Sequence, residues 1–218
     1  MKDSIQFLKP VRPGLAVCLA SGLMLAAYPA ASQEEHAPKH EVGLTLGSML
    51  TTDLQAPQNR IELGSGIAFQ ANYGYRFFEA DQAALYGEVH LLASPQRLVA
   101  SPVPTLTRDI ATLYVTPGVR LKFFPRSALA PYVVAGGGYA LYEQSLTRLD
   151  GQPNSVPRTI NRGVFHFGGG VDLKLWRFVG LRAEFRDFYS GSPAYNSAAV
   201  SGGQHNLVAS GGIVLKFQ

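Results

Sequence analysis

The stretch Gly66-Ile67-Ala68-Phe69-Gln70-Ala71-Asn72-Tyr73-Gly74-Tyr75-Arg76-Phe77-Phe78 decides the fold class. Ile67, Phe69, Ala71, Tyr73, Tyr75 and Phe77 alternate with Ala68, Gln70, Asn72, Gly74 and Arg76. Successive side chains of an extended strand point to opposite faces, so this period of two gives one apolar, aromatic face and one polar face. Between Thr112 and Phe124, Leu113, Val115, Val119, Leu121 and Phe123 oppose Thr112, Tyr114, Thr116, Arg120 and Lys122, with Pro117 on the apolar side. From Gly163 to Trp176, Phe165, Phe167, Val171, Leu173 and Leu175 stand against His166, Asp172 and Lys174. The final stretch alternates Leu207, Ala209, Ile213, Leu215 and Phe217 with Ser210 and Lys216.

Working outward, Val42–Leu50, Ala84–Leu92, Tyr132–Glu143 and Gly180–Tyr189 carry weaker alternation and bring the set to eight strands. Their connections alternate in length. Thr51–Leu63, Ala93–Arg108, Gln144–Asn161 and Ser190–Gln204 are long, whereas Glu79–Gln82, Pro125–Ala130 and Arg177–Val179 are short. Short turns at one end and long loops at the other characterise barrels that cross an outer membrane. Composition agrees: only 16% of residues are charged, against about 25% in an ordinary soluble domain, while 46% are hydrophobic. The 218 residues, with 23 Gly, 10 Tyr and 12 Phe, favour one domain of strands and turns.

Lys2, Lys9 and Arg12 precede the apolar run Leu15–Ala27, and Ala30-Ala31-Ser32 offers a cleavage point, so residues 1–32 read as a secretory signal peptide. A short polar leader over 33–41 and a barrel over 42–218 follow. Loss of Lys2, Lys9, Arg12 and Asp3 lowers the formal charge from +4 to +2, too slight a basic balance for a nucleic-acid partner. The sole cysteine, Cys18, lies in the signal; Leu15-Ala16-Val17-Cys18 is similar to a lipobox, but the apolar run before Cys18 is too short. Beyond the signal, nothing approaches the roughly 18–20 apolar residues of a membrane helix. A membrane-embedded chain must then close its backbone hydrogen bonds in a barrel.

Aromatic residues mark the strand ends beside the short turns: Phe77, Phe78, Phe123, Phe124, Trp176, Phe178 and Phe217. Rings of this kind form a belt at a membrane interface. Tyr142, Phe188 and Tyr189 are the candidates for the opposite belt. The polar face carries Arg76, Glu88, His90, Arg120, Lys122, His166, Asp172, Lys174, Arg182, Glu184 and Arg186. A soluble lipocalin-like barrel turns its apolar face inward; charges at the inward positions reverse that and favour the membrane.

Three segments carry a family resemblance: Pro131-Tyr132-Val133-Val134-Ala135-Gly136-Gly137-Gly138-Tyr139, Leu181-Arg182-Ala183-Glu184-Phe185-Arg186-Asp187 and Gly211-Gly212-Ile213-Val214-Leu215-Lys216-Phe217. Over about Val42–Phe217 the chain resembles the small outer-membrane β-barrel superfamily of OmpA-type and OmpX-type proteins. The resemblance implies an all-β, eight-stranded, antiparallel up-and-down transmembrane barrel in a bacterial outer membrane. It also implies contact with outer-membrane lipid and lipopolysaccharide, and recognition by the outer-membrane assembly machinery. Family members usually finish on an aromatic residue, whereas Gln218 follows Phe217 here. No domain like the peptidoglycan-binding part of OmpA follows, so peptidoglycan anchoring is not implied.

The inward charges are expected to pair as a structural ladder, with Arg182, Glu184 and Arg186 meeting His166, Asp172 and Lys174 across a strand pair. A gated ion or proton path is the competing reading, and a barrel of eight strands leaves little room for it. Small barrels that modify lipid A include a Ser-His-Glu hydrolase type. His166 and Glu184 fall near each other, but Ser210 sits on the distant last strand with His205 on the opposite face, so no triad is expected. Gly136–Gly138, Gly168–Gly170 and Gly64-Ser65-Gly66 open no helix, so phosphate binding is not expected of them; curvature and bulges are. Asp150-Gly151-Gln152-Pro153-Asn154 reads as a turn without the later acidic ligands of a calcium loop, and His36 and His40 suggest no metal site. No cofactor is expected. The leading expectation is a structural or surface-interaction barrel whose loop ligand the sequence does not name. A lipid A-modifying enzyme and a soluble periplasmic lipocalin-like binder are the alternatives.

Overall fold

The computed structural model describes residues 36–52, 54–56, 59–193, 195 and 203–218. They form ten strands: β1 (His40–Thr51), β2 (Leu54–Ala56), β3 (Asn59–Leu63), β4 (Gly66–Glu79), β5 (Ala83–Ala100), β6 (Asp109–Phe123), β7 (Leu129–Gln144), β8 (Thr159–Lys174), β9 (Val179–Gly191) and β10 (Gly203–Phe217). Each of the eight long strands pairs antiparallel with its neighbours in sequence, and β1 pairs with β10 along its whole length, His40 opposite Phe217 and Thr51 opposite Asn206. The β5–β6 pairing completes the ring, so the sheet is a closed barrel of eight strands. Closure leaves no unpaired edge along the wall, the condition for strands to sit in lipid.

Alternation sets what each face meets. Leu44, Ile67, Val89, Val119, Val133, Phe167, Phe185 and Ile213, one from each wall strand, project outward and are exposed. Gln70, Asn72, Glu88, Arg120, His166, Arg182 and Glu184 project inward and are buried. An apolar outside around a polar inside rules out the lipocalin-like arrangement. No helix among the described residues is long and apolar enough to cross a membrane; the crossing elements are strands.

Several elements differ from the sequence expectation. β1 begins at His40, two residues inside the expected leader, which puts Glu41 in the wall. β5 continues through the expected loop to Ala100, with a register shift between Ser94 and Arg97. Pro95 lies in that shift; a proline cannot donate to the ladder and is tolerated where pairing is interrupted. Within the expected Thr51–Leu63 loop, β2 and β3 form a hairpin that attaches to the end of β5 through Glu62–Ala100 and Leu63–Val99. A second register shift between Arg76 and Phe78 breaks strict alternation, so Phe77 and Phe78 are both exposed. The Asp150–Asn154 segment is a turn with Gly151 at φ 78°, a conformation that suits glycine. The expected signal peptide and its cleavage point lie outside the described residues.

Candidate functional site

The barrel interior holds the densest chemistry, and it divides into two levels. At the short-turn end, Glu41 of β1 lies at the centre. It receives Arg120 Nη2 at 2.9 Å and Arg182 Nη2 at 3.2 Å, and it also pairs with Lys122. Asp172 takes Lys122 Nζ at 2.6 Å and Arg182 Nε at 2.7 Å. One step further in, Glu88 receives Arg186 Nη1 at 2.8 Å and Arg120 Nη1 at 3.3 Å, and Glu184 receives Arg186 Nη2 at 2.9 Å. The Tyr132 hydroxyl donates to Glu184 at 2.7 Å, and Arg182 Nη1 donates to Asn72 Oδ1 at 2.7 Å. Tyr86 and Tyr132 lie beside the Arg120 guanidinium, with ring centroids 5.1 and 5.4 Å away.

Four carboxylates, Glu41, Glu88, Asp172 and Glu184, thus face four cations, Arg120, Lys122, Arg182 and Arg186. The balance has a physical origin, because an unmatched charge taken out of water costs several kcal/mol. Most of these pairs join strands that are not neighbours in the sheet, β1 to β6, β5 to β9 and β6 to β8, and so tie opposite walls across the lumen.

Inward glycines make room for the long side chains. A Cβ on Gly170 would lie 2.5 Å from Tyr132 Oη, one on Gly136 2.6 Å from His166 Nε2, and one on Gly43 2.6 Å from Asn72 Oδ1 and 2.9 Å from Arg182 Nη1. In the same clusters a Cβ on Gly136, Gly138, Gly168 or Gly170 would also lie 2.1–2.5 Å from a backbone oxygen of the neighbouring strand, so these glycines admit both close strand approach and the lumen side chains.

Glu88, Arg120, Asp172, Arg182, Glu184 and Arg186, singled out from sequence, come together in this network. Arg76 lies at the short-turn rim, paired with Glu79, and Lys174 is half-buried there. The expected β8–β9 ladder forms at one rung, Asp172 with Arg182. Gly170 stands opposite Glu184 and Gly168 opposite Arg186, so both find other partners: Arg186 reaches Glu88 of β5, while Glu184 pairs with Arg186 on its own strand and accepts from Tyr132 of β7. His90 and His166 are buried without a hydrogen bond to protein, their ring centroids 6.0 Å apart and 5.6 and 5.3 Å from Phe188. Sequence reasoning missed Glu41, Asn72, Tyr86 and Tyr132. Extending the Val42–Leu50 alternation backwards by two residues would have found Glu41, which shares the inward phase of Gly43 and Thr45.

At the long-loop end the interior is largely apolar, with Arg97, Gln204 and Asn206 buried beside the apolar cluster. Met49, Leu92, Tyr114, Tyr142, Phe188 and Val208 from the wall pack with Ile61, Leu63, Val99, Leu106 and Tyr195. Tyr114 stacks on Phe188 at 5.2 Å, and the Tyr114 and Tyr142 hydroxyls share a hydrogen bond of 2.9 Å. Burial pushes the Tyr195 phenol upward, and it donates to Gln204 at 2.7 Å. Arg97, also buried here, hydrogen-bonds Thr51, Asn206 and Thr112. Tyr142 and Phe188 are therefore not members of an outer belt. Phe188 keeps the inward phase of Arg182, Glu184 and Arg186, and of the three candidates only Tyr189 points outward.

On the outer wall at the short-turn end, Phe77, Phe78, Phe124, Trp176, Phe178 and Phe217 are exposed and Phe123 is half-buried. At the long-loop end the outer wall carries a polar pair: His205 Nδ1 lies 2.7 Å from Asp187 Oδ2, with the Tyr189 ring 4.8 Å from the imidazole. Ser210 faces the lumen, where it accepts from Gln70 Nε2 at 2.6 Å. No Ser-His-Glu arrangement forms from Ser210, His166 and Glu184. Among the described residues, no group of three or more His, Cys, Asp or Glu is placed to hold a metal ion.

Residues 16–211 match the family model described as outer membrane protein beta-barrel domain. Among solved structures, Neisserial surface protein A is similar at a TM-score of 0.53 and 15% identity, covering 84% of this chain and 100% of its own. The outer membrane protein OprG from Pseudomonas aeruginosa is similar at a TM-score of 0.52 and 15% identity, covering 86% of this chain and 100% of its own. At such identities the likeness is one of fold. A search of curated proteins finds no match.

Proposed function

This chain belongs to the outer membrane protein β-barrel domain family, and from that premise we propose that it is a non-enzymatic surface-interaction barrel, its periplasmic half an anchor and its extracellular loops the working part. The observation that carries the reading is the interior. Charged side chains cross-link the lumen at one level, and an apolar plug that includes loop residues fills it at the other. With so little continuous space, the chemistry a cell would use lies outside the barrel. The lipid-facing wall contacts outer-membrane lipid and lipopolysaccharide, and the belt beside the short turns sets its depth. The last strand is the segment the assembly machinery would engage.

Two measurements test this. Purified protein in planar bilayers is expected to show no steady conductance; a reproducible open channel would overturn the anchor reading. Cells displaying the protein with loops 101–108 and 145–158 shortened are expected to lose adhesion to host-cell or matrix surfaces while keeping heat-modifiable barrel mobility on gels. Adhesion that is absent from the intact protein as well would overturn the surface role.

One observation favours a second reading, a lipid-modifying enzyme: the Asp187–His205 pair lies on the outer wall at the extracellular rim, on the face that elsewhere carries apolar side chains. Mass spectrometry of lipid A from cells with the protein and with His205→Ala separates the two readings. Identical profiles leave the enzyme without support.

A further inference from the structure

The periplasmic mouth contains a cavity of about 380 Å³ that the charged network does not use. Its lining brings together five basic side chains from separate segments: His36 ahead of β1, Arg126 in the β6–β7 turn, Lys174 ending β8, Arg177 in the β8–β9 turn and Lys216 near the end of β10. Among the described residues, no aspartate or glutamate side chain lines it. Nearby, among the described residues, Glu79 holds Arg126 at 3.3 Å and His36 at 3.6 Å, Asp81 holds Arg126 at 3.4 Å, and Glu41 and Asp172 are taken by Lys122 and Arg182 one layer deeper. Among the described residues, neither Arg177 nor Lys216 forms an ion pair, and Lys216 is only 8% exposed. A nearly buried ammonium in a cluster of like charge is unfavourable unless an anion joins it.

The walls specify the anion further. Phe178 and Phe217 line the cavity and also belong to the exposed aromatic belt, so the opening lies at the inner boundary of the membrane. Cations at that depth meet phosphodiesters, and guanidinium and ammonium groups give charge-assisted hydrogen bonds to phosphate oxygens. We propose that the cavity bounded by Arg126, Lys174, Arg177 and Lys216 is a binding site for a phosphate-bearing anion. The site is independent of the loops and of their partner.

The test uses the full barrel, refolded in zwitterionic phosphatidylcholine bicelles and followed by amide NMR. Inorganic phosphate forms one arm, and phosphatidylglycerol doped into the bicelles the other. Saturable shifts confined to the turns and strand ends around 126, 174–178 and 216 are expected in at least one arm. Response to phosphate alone identifies a free phosphate ligand; response to phosphatidylglycerol alone identifies a lipid headgroup. Arg177→Gln, at an exposed turn, and the double variant Lys174→Gln with Arg177→Gln are expected to weaken binding about tenfold or more, each cation contributing on the order of one decade. Arg148→Gln, at the opposite end, is expected to leave it unchanged. Non-saturable shifts spread over the whole barrel would overturn the proposal. So would affinities for both turn variants equal to that of the unaltered protein.

Discussion

The two halves of the lumen are built from the same strands with the same alternation, yet they are filled in opposite ways. The periplasmic half is an ion-pair network of four carboxylates and four cations, most of whose pairs reach across to a wall that is not a neighbour. The extracellular half is a cluster of Met, Leu, Val, Phe and Tyr that includes side chains from the loops. Ion pairs are directional and fail when one member is removed. Apolar packing is not directional and accepts substitutions that keep volume. The barrel therefore has a half that fixes its geometry and a half that can accommodate change at the loops.

Removing the centre of the charged half is the sharpest way to break this comparison. Glu41→Gln strips a partner from Arg120, Lys122 and Arg182 at once, and loss of one member of a buried network costs about 3–5 kcal/mol. Urea unfolding of the refolded barrel, followed by gel mobility without boiling, should show the largest fall in midpoint of any single lumen substitution. A midpoint equal to that of the unaltered protein would mean that the network is replaced by water at no cost, and the distinction between the halves would collapse.

Next in size is the seat beneath the network. Gly170→Ala places a methyl group 2.5 Å from both Tyr132 Oη and the Ala183 carbonyl oxygen of the neighbouring strand, so the hydroxyl that donates to Glu184 must move and the strand pair must give as well. Overpacking of this kind costs about 1–3 kcal/mol. Pairing Gly170→Ala with Tyr132→Phe sharpens the interpretation: if the clash is with the hydroxyl, the alanine should cost less in the phenylalanine background. Equal costs in both backgrounds would place the strain in the backbone instead. The extracellular half should respond less. Phe188→Leu keeps most of the volume among Tyr114, His90 and His166 and is expected to cost less than about 1.5 kcal/mol.

The sequence made the wall legible because period-two alternation is a local property, readable within one strand such as Gly66–Phe78. It placed Glu88, Arg120, Asp172, Arg182, Glu184 and Arg186 on the inward face for the same reason. Partner choice was not legible. Alternation says which face a side chain takes but not which opposite wall it meets, so Arg186 with Glu88 could not be foreseen. Glu41 was missed because the strand was started two residues late. Tyr142 and Phe188 were misassigned because residue type was allowed to outweigh phase: both are aromatic, and both stand in the inward phase of their strands. The register shift at Arg76–Phe78, which turns two successive phenylalanines outward, leaves no mark in a regular alternation. Ile61, Leu106 and Tyr195 gave no sequence signal as plug residues, because an isolated apolar residue in a polar loop has no periodicity to declare its destination.

The smallest expected effect tests whether the tyrosine hydroxyls add polar specificity to the extracellular half. The Tyr114 and Tyr142 hydroxyls share one hydrogen bond of 2.9 Å between fully buried rings. Tyr114→Phe or Tyr142→Phe alone leaves the other hydroxyl buried with one partner fewer, which costs about 1 kcal/mol. Removing both hydroxyls takes away the bond and one of the stranded groups together, so the double variant should lose less than the sum of the singles. The two hydroxyls are not equivalent, because Ser190 also contacts Tyr142 and remains to be satisfied. Tyr142→Phe should therefore be the costlier single change. A strictly additive cycle with equal single effects would show that the two hydroxyls act as spectators and that the packing around these rings is held by shape, which would widen the contrast with the charged half below it.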